Sequence, residues 1–486
     1  MQTIDYLLMA VRWLFLLGLG YYVIVNLQWY HYKITRVLFK HHKLRWHLFY
    51  FVLPVLYFIF IPYNPYFYIG LLFYLLMLGI WIYHLSKKLV FTGRVNRFFI
   101  IYLCFIFLDS FLLLAVYEHS DIIQIVYLTP LVISVILSAL IEKVLLNRYR
   151  KVAEDILDSM PNLTIIAVTG SYGKTSLKNF LAQVLQDKFK VYATPRSVNT
   201  LTGIIADINQ NLSSLTDIYI VEAGARQVGD IKEIVEFINP QIAVVGKIGE
   251  AHIEYFKNIE TIYQAKYEIF ESQRLMRAYV YEDNLTPTNC QAPITYFPQY
   301  PSNVVATLEG TDFSLNIKGN RLNFHTQILG AFNVINIGAA IAVAKDLGID
   351  DESIIKRVSK LQPINHRLSK MIVNNKIILD DSYNGNIDGM LEAIRLSSLY
   401  EGRKVIITPG LVESRDELNE QLAKSIDKVF NIAIITGELN SNILKNHIFK
   451  AQKIILKDRS NIENILKSVS QEGDLLLFAN DAPSYI

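Results

Sequence analysis

The stretch "AVTGSYGKTSLKNF", residues 167–180, holds two glycines, a lysine and a threonine at spacings suited to wrapping phosphate. Gly170 and Gly173 let backbone amides approach anionic oxygens, and Lys174 supplies charge at the β- and γ-phosphates. Thr175 offers a hydroxyl to Mg²⁺, and Ser171 and Ser176 complete the expected nucleotide-binding set, all at the start of a helix whose dipole favours anions. The long form of such a loop has a further glycine five residues before Gly173; here that position is Val168. A bound metal, or its water, next needs an acid at the end of a neighbouring strand, and Glu222 in "YIVEAGA" is so placed. Taken alone, Glu222 would be a solvated strand-end residue. In register with this loop it reads as a metal ligand.

The elements around these residues follow the required order. "LTIIAVTG" reads as a buried strand before the loop and "SLKNFLAQVLQ" as the helix after it. "DIYIVEAGA", "IKEIVEFI" and "QIAVVGKIG" continue the strand–helix–strand alternation of a parallel α/β sheet. Residues 311–329 alternate apolar and polar about "KGN", predicting a β-hairpin appended to that sheet. The helix "VINIGAAIAVAKDLG" and the connector "LQPINHRL" lead to further strands at 376–380, 403–408, 431–436, 452–456 and 473–478, a second α/β domain.

The first 145 residues are different. Over the whole chain 52% of residues are hydrophobic and 19% charged, and the apolar excess lies in runs at about 6–28, 47–63, 65–84, 98–117 and 122–141. These runs are near the roughly 20 residues a spanning helix needs. Lys33, Arg36, Lys40, Lys43 and Arg45 lie between the first two runs, Lys87, Lys88, Arg94 and Arg97 between the third and fourth, whereas "PYNPYF" and "YEHSD" lack lysine and arginine. The positive-inside rule then predicts five spans, the N-terminus outside, and everything after residue 145 in the cytoplasm. A cleavable signal peptide explains none of the later runs. Arg12 and Asp109 lie inside expected spans, where the bland reading is snorkelling for one and pairing within the bundle for the other. Net charge is +3, with basic residues clustered between apolar runs, so nucleic acid is not an expected partner. Cys104 and Cys290 are too few and too far apart for a disulfide framework or a cysteine-rich zinc site.

With "VEAGA", "GEAHIEYF", "QAKYEIF", "GAFNVINIGAA", "NHRL" and "DDSYNGNIDGM" following the short loop in order, residues 160–486 resemble the Mur ligases, ATP-dependent amide-forming enzymes of peptidoglycan synthesis. "DDSYNGN" is most similar to the branch that adds D-alanyl-D-alanine to UDP-N-acetylmuramoyl-tripeptide. The apolar runs make 1–150 an all-α membrane bundle of about five transmembrane helices, and the resemblance implies a central P-loop domain at 155–362 and a C-terminal Rossmann-like α/β domain at 363–486. It implies ATP and two Mg²⁺ ions, with Thr175, Glu222 and His252 around the metals and a carbamylated Lys266 supporting the second. Asn333 matches the adenine-contacting asparagine, although Phe332 replaces the usual preceding histidine. Arg367 matches a hinge arginine that reaches phosphate as the domains close, and Asp381 the acid at the ribose. Asn384 would face the phosphates, and Asn199, Thr200 and Asn386 the substrate. On this resemblance the catalytic set is Lys174, His252, Lys266 and Arg367.

Soluble members of that branch carry an N-terminal domain gripping the uridine nucleotide, and here apolar runs stand in its place. The preferred reading is an anchor placing the ligase on the inner, cytoplasmic membrane, beside membrane lipid and the enzymes that use its product. The runner-up is a related amide ligase for a lipid-linked or other envelope substrate. A membrane-coupled ATPase or transporter would show the full loop and a further signature motif, and would leave "DDSYNGN" unexplained.

Overall fold

A computed structural model describes residues 2–30, 32, 34–39, 44–60, 65–85, 88–115, 128–250, 256–298, 301–317, 319–383, 385–411, 414–456 and 461–480. The chain divides into two compact units, residues 1–148 and 149–486.

The first unit is helical. Among the described residues three helices, Ala10–Trp29, Gly93–Leu112 and Thr129–Asp158, are long and apolar enough to cross a membrane, and Arg45–Phe60 and Ile69–Tyr83 are shorter apolar helices. The run expected to end near 141 continues helically to Asp158, because "IEKVLLNRYRKVAEDILD" contains no glycine or proline to stop it. The first part of that run, up to residue 127, lies outside the described residues. The unit's core is aromatic: Phe15 stacks on Phe58, and Tyr22 packs against Trp81. Gly20 is needed because a Cβ there would strike the Tyr102 ring, whose hydroxyl donates to the Leu16 carbonyl at 2.6 Å. Arg12 and Asp109, expected to act separately, pair with each other, both buried. The guanidinium is thereby matched by charge instead of snorkelling.

The second unit is built on two six-stranded sheets, one parallel and one parallel but for an antiparallel edge strand. The first contains β1 (Thr164–Thr169), β2 (Val191–Ala193), β3 (Ile218–Glu222), β4 (Ile242–Val245), β5 (Arg277–Tyr281) and β6 (Ile294–Phe297), ordered β2-β3-β1-β4-β5-β6. Its central strands are apolar on both faces, as a sheet covered by helices requires. The expected hairpin forms from β8 (Thr311–Ile317) and β9 (Asn320–Thr326), with Ile317 opposite Asn320. It does not extend the parallel sheet as predicted: with β7 (Ser302–Ala306) it makes a separate three-stranded sheet. Its alternation buries Phe313, Leu315 and Phe324 in the core shared by Phe297 and the helix Asn333–Asp346, so it docks by a face. Alternation reports that a face is buried but not what buries it.

The other sheet, ordered β10-β11-β15-β12-β13-β14, contains β10 (Ser369–Val373), β11 (Lys376–Asp381), β12 (Lys404–Thr408), β13 (Ile432–Thr436), β14 (Gln452–Leu456) and β15 (Leu475–Ala479). Sequence reading missed β10, which pairs antiparallel to β11 through Asn374 and Asn375 at φ 50 and 58. Two consecutive left-handed asparagines are a hairpin turn of the primed type, the signal that was available.

Candidate active site

In the first sheet, strand order reverses at β1, and crevices at such points open beyond the carboxyl ends of the strands. Val168 of β1 is in register with Glu222 of β3 on one side and Val244 of β4 on the other, which sets the glutamate beside the loop. Gly173 has φ +72, and a Cβ there would lie 2.9 Å from the Asn336 amide, so only glycine fits. The Ser171 and Tyr172 amides donate to the Lys247 carbonyl at 2.9 and 3.5 Å, and the Ser171 hydroxyl donates to the Gly249 carbonyl. Lys174 curls back on its loop, donating to the carbonyls of Gly170 (3.0 Å) and Ser171 (3.2 Å); burial lowers its pKa.

Glu222 is 1% exposed. It accepts from the Thr175 hydroxyl at 2.9 Å and the Asn199 amide at 3.1 Å, with the Lys178 ammonium at 3.5 Å. A hydroxyl and a carboxylate meeting at the end of a phosphate loop form a hard-oxygen pair that fits Mg²⁺. Among the described residues no group of three His, Cys, Asp or Glu side chains gathers into a complete metal cage. Lys266, on the helix Ile259–Tyr267, is buried. Burial pulls its pKa well below the ordinary lysine value and the Lys174 charge adds to the shift, while Asp230, Glu222 and Glu268 oppose it. His252 and Asn384 lie outside the described residues.

Across the crevice stands the second sheet. Arg367 lies between two left-handed residues, His366 (φ 64) and Leu368 (φ 49), and its guanidinium donates to the Tyr383 carbonyl at 2.6 Å. The His366 ring sits 2.8 Å from the Asp380 carboxylate, which anchors the connector to β11. Lys174, Thr175, Asn199 and Glu222 from one side and Arg367 and Asp381 from the other line a single cleft of about 380 Å³. Two ion pairs bracket it, Lys247 with Asp388 at 2.7 Å and Glu250 with Arg415.

Some expected residues hold other positions. Asn333 is buried and donates to the Leu329 carbonyl, and Asn336, one turn on, lines the cleft in its place. The Thr200 hydroxyl caps the helix Leu201–Asn211 by accepting from Gly203 N. Asn386 caps Ile387–Ser398, accepting from Gly389 N at 2.8 Å, while still lining the cleft.

Residues 168–344 match the Mur ligase middle domain. Over 334 residues the chain is 29% identical to the UDP-N-acetylmuramoyl-tripeptide--D-alanyl-D-alanine ligase of Bacillus subtilis, spanning 65% of this chain and 72% of that protein. The Escherichia coli ligase of the same name is 27% identical over 51% of this chain and 58% of its own length. The chain carries a Mur ligase middle domain. Two solved ligases show the shared fold. The Thermotoga maritima MurF ligase in complex with ADP aligns with a TM-score of 0.59 and 23% identity, over 69% of this chain and 80% of its own. An Acinetobacter baumannii UDP-N-acetylmuramoylalanyl-D-glutamyl-2,6-diaminopimelate--D-alanyl-D-alanyl ligase gives 0.61 and 21%, over 68% and 76%.

Sequence reading of this chain missed Lys178. Within the helix Lys174–Leu185 the buried face is marked by Leu177, Leu181, Val184 and Leu185, and Lys178 falls inside it. A lysine within an apolar stripe was the available signal. Lys247, Asp388, Glu250 and Arg415 were also missed, because nothing local announces pairs formed across 141 and 165 residues.

Proposed function

We propose that this chain joins D-alanyl-D-alanine to UDP-N-acetylmuramoyl-tripeptide at the expense of ATP, releasing ADP and phosphate. A carboxylate is a poor acyl donor; phosphorylation by ATP gives an acyl phosphate, and the dipeptide amine displaces phosphate through a tetrahedral intermediate. The observation that carries the reading is the shared cleft: phosphate loop, Thr175 and Glu222 face Arg367 and Asp381 across about 380 Å³. Lys174 would offset charge on the transferring phosphoryl oxygens, and Arg367 would add a planar guanidinium from the opposite wall. Asp381 would meet the ribose, Asn336 the base, and Asn199 and Asn386 the acceptor, all four lining the cleft. Thr175 and Glu222 would hold Mg²⁺, which when bound supplies further charge neutralisation. Burial of Lys266 lowers its pKa, which favours the neutral amine that carbamylation by CO₂ requires, and the product would be an anion.

The three long apolar helices and the basic segments between apolar runs support a membrane anchor at the cytoplasmic face, where lipid and other precursor enzymes would be neighbours. The test is phosphate release by detergent-solubilised protein given ATP, Mg²⁺ and the UDP-tripeptide, with and without D-alanyl-D-alanine. Release requiring both acceptor and dipeptide, and lost in Lys174→Ala, is expected. Release only with a lipid-linked acceptor would replace the substrate named here.

A further inference from the structure

Lys178 is a buried cation that the proposed chemistry does not use. Its ammonium donates to the carbonyls of Thr194 (2.5 Å) and Arg196 (2.6 Å) and lies 3.5 Å from Glu222. Both carbonyls belong to the segment "TPRSVN", residues 194–199, whose Ser197 and Asn199 line the cleft. Arg196 has φ 46, a left-handed conformation that costs a non-glycine residue about 1–3 kcal/mol and persists only where its surroundings impose it. The segment is also joined to β3 and the loop after it: Thr194 N donates to the Ile220 carbonyl, Glu222 N to the Thr194 hydroxyl and Gly224 N to the Asn199 carbonyl. Lys178 thus binds the kinked residue from below while touching the acid that the kink faces.

We propose that Lys178 is a positioning residue: its ammonium holds Arg196 in the left-handed turn and thereby fixes Ser197 and Asn199 on the acceptor side of the cleft, beside Glu222. The acceptor part rests on the ligase reading above; the positioning part does not. Ionic contacts to main-chain carbonyls are among the stronger hydrogen bonds, and only a cation long enough to reach both carbonyls from one helix position can make them.

The experiment is amide hydrogen exchange across residues 194–200 in the full-length, detergent-solubilised protein, comparing wild type with Lys178→Met. Exchange at Val198, whose amide donates to the Pro195 carbonyl, should quicken about tenfold while exchange in β1 and β4 is unchanged. Arg196→Gly removes the left-handed penalty, so in the Lys178→Met background it should restore most of the lost protection. Unchanged exchange in Lys178→Met, or equal loosening throughout the sheet, overturns the proposal. Should Lys178→Met not fold, the neutral and shorter Lys178→Gln carries the test: local loosening confined to 194–200 supports the proposal and wild-type exchange refutes it. In turnover assays the acceptor KM should rise about tenfold in Lys178→Met with the ATP KM within about twofold. A wild-type protein without acceptor-dependent turnover would sink the ligase reading and leave the exchange result to judge Lys178.

Discussion

The two six-stranded sheets of the second unit bring charge to the same cleft in opposite ways. On the first, Lys174, Lys178 and Glu222 are desolvated groups held by carbonyls, a hydroxyl and one another, and Lys266 is buried. The second meets the first through half-exposed pairs such as Lys247 with Asp388, and its Arg367 stands on a connector of left-handed residues. Buried, fully partnered charges cannot reorient cheaply, whereas surface ion pairs contribute at most about 1 kcal/mol each. The first sheet is therefore the more preorganised half of the site, and the exposed pairs joining the second to it are the contacts that break most cheaply.

Substitutions can break this contrast. The largest effect is expected for Lys174→Ala, a loss of about a thousandfold in acceptor-dependent phosphate release, because a preorganised charge leaves the phosphoryl path. Glu222→Gln should cost about a hundredfold and raise the Mg²⁺ concentration needed for half-maximal rate. Removing CO₂ should lower the rate about tenfold, and less at lower pH. The sign follows from Lys266: burial depresses its pKa, so as pH falls through that value the neutral amine becomes an ammonium unable to react with CO₂. A pH-independent CO₂ response, or none, would remove Lys266 from the metal region's chemistry.

On the second sheet, Arg367→Lys should cost about tenfold in kcat, since a lysine keeps the charge but not the planar fork. The smallest effect is expected for the Lys247–Asp388 pair, at 43% and 64% side-chain exposure. A double-mutant cycle on phosphate release should give a coupling of about 0.2–1 kcal/mol that fades with added salt. If this surface pair outweighed Glu222, the division into a more preorganised half and a half joined to it by easily broken contacts would be wrong.

What could be read in advance differs between the halves. Strands, helices and the phosphate loop were legible because strand and helix periods and turn glycines are local in sequence, and the five expected strands of the second sheet appear as β11 to β15. The hairpin β8–β9 was legible as a hairpin but not as part of a separate sheet, since its burying partner, the helix Asn333–Asp346, enters only in space. Thr200, expected at the substrate, caps the helix Leu201–Asn211 and is not among the residues lining the cleft. Cap and ligand use the same hydroxyl, and the neighbouring backbone decides between them.

The sequence by itself determined the α/β alternation, the apolar N-terminal runs and the loop at 170–176 with its acid at Glu222, because each depends on residues near one another or on a strand-end position that the pattern marks. Tertiary structure alone decided that Arg12 finds Asp109, that Asn336 lines the cleft where Asn333 does not, and that Lys178 lies under the turn at Arg196. Those outcomes depend on which desolvated polar groups meet after packing. An unpartnered buried charge is too costly to leave, but its partner can lie anywhere along the chain.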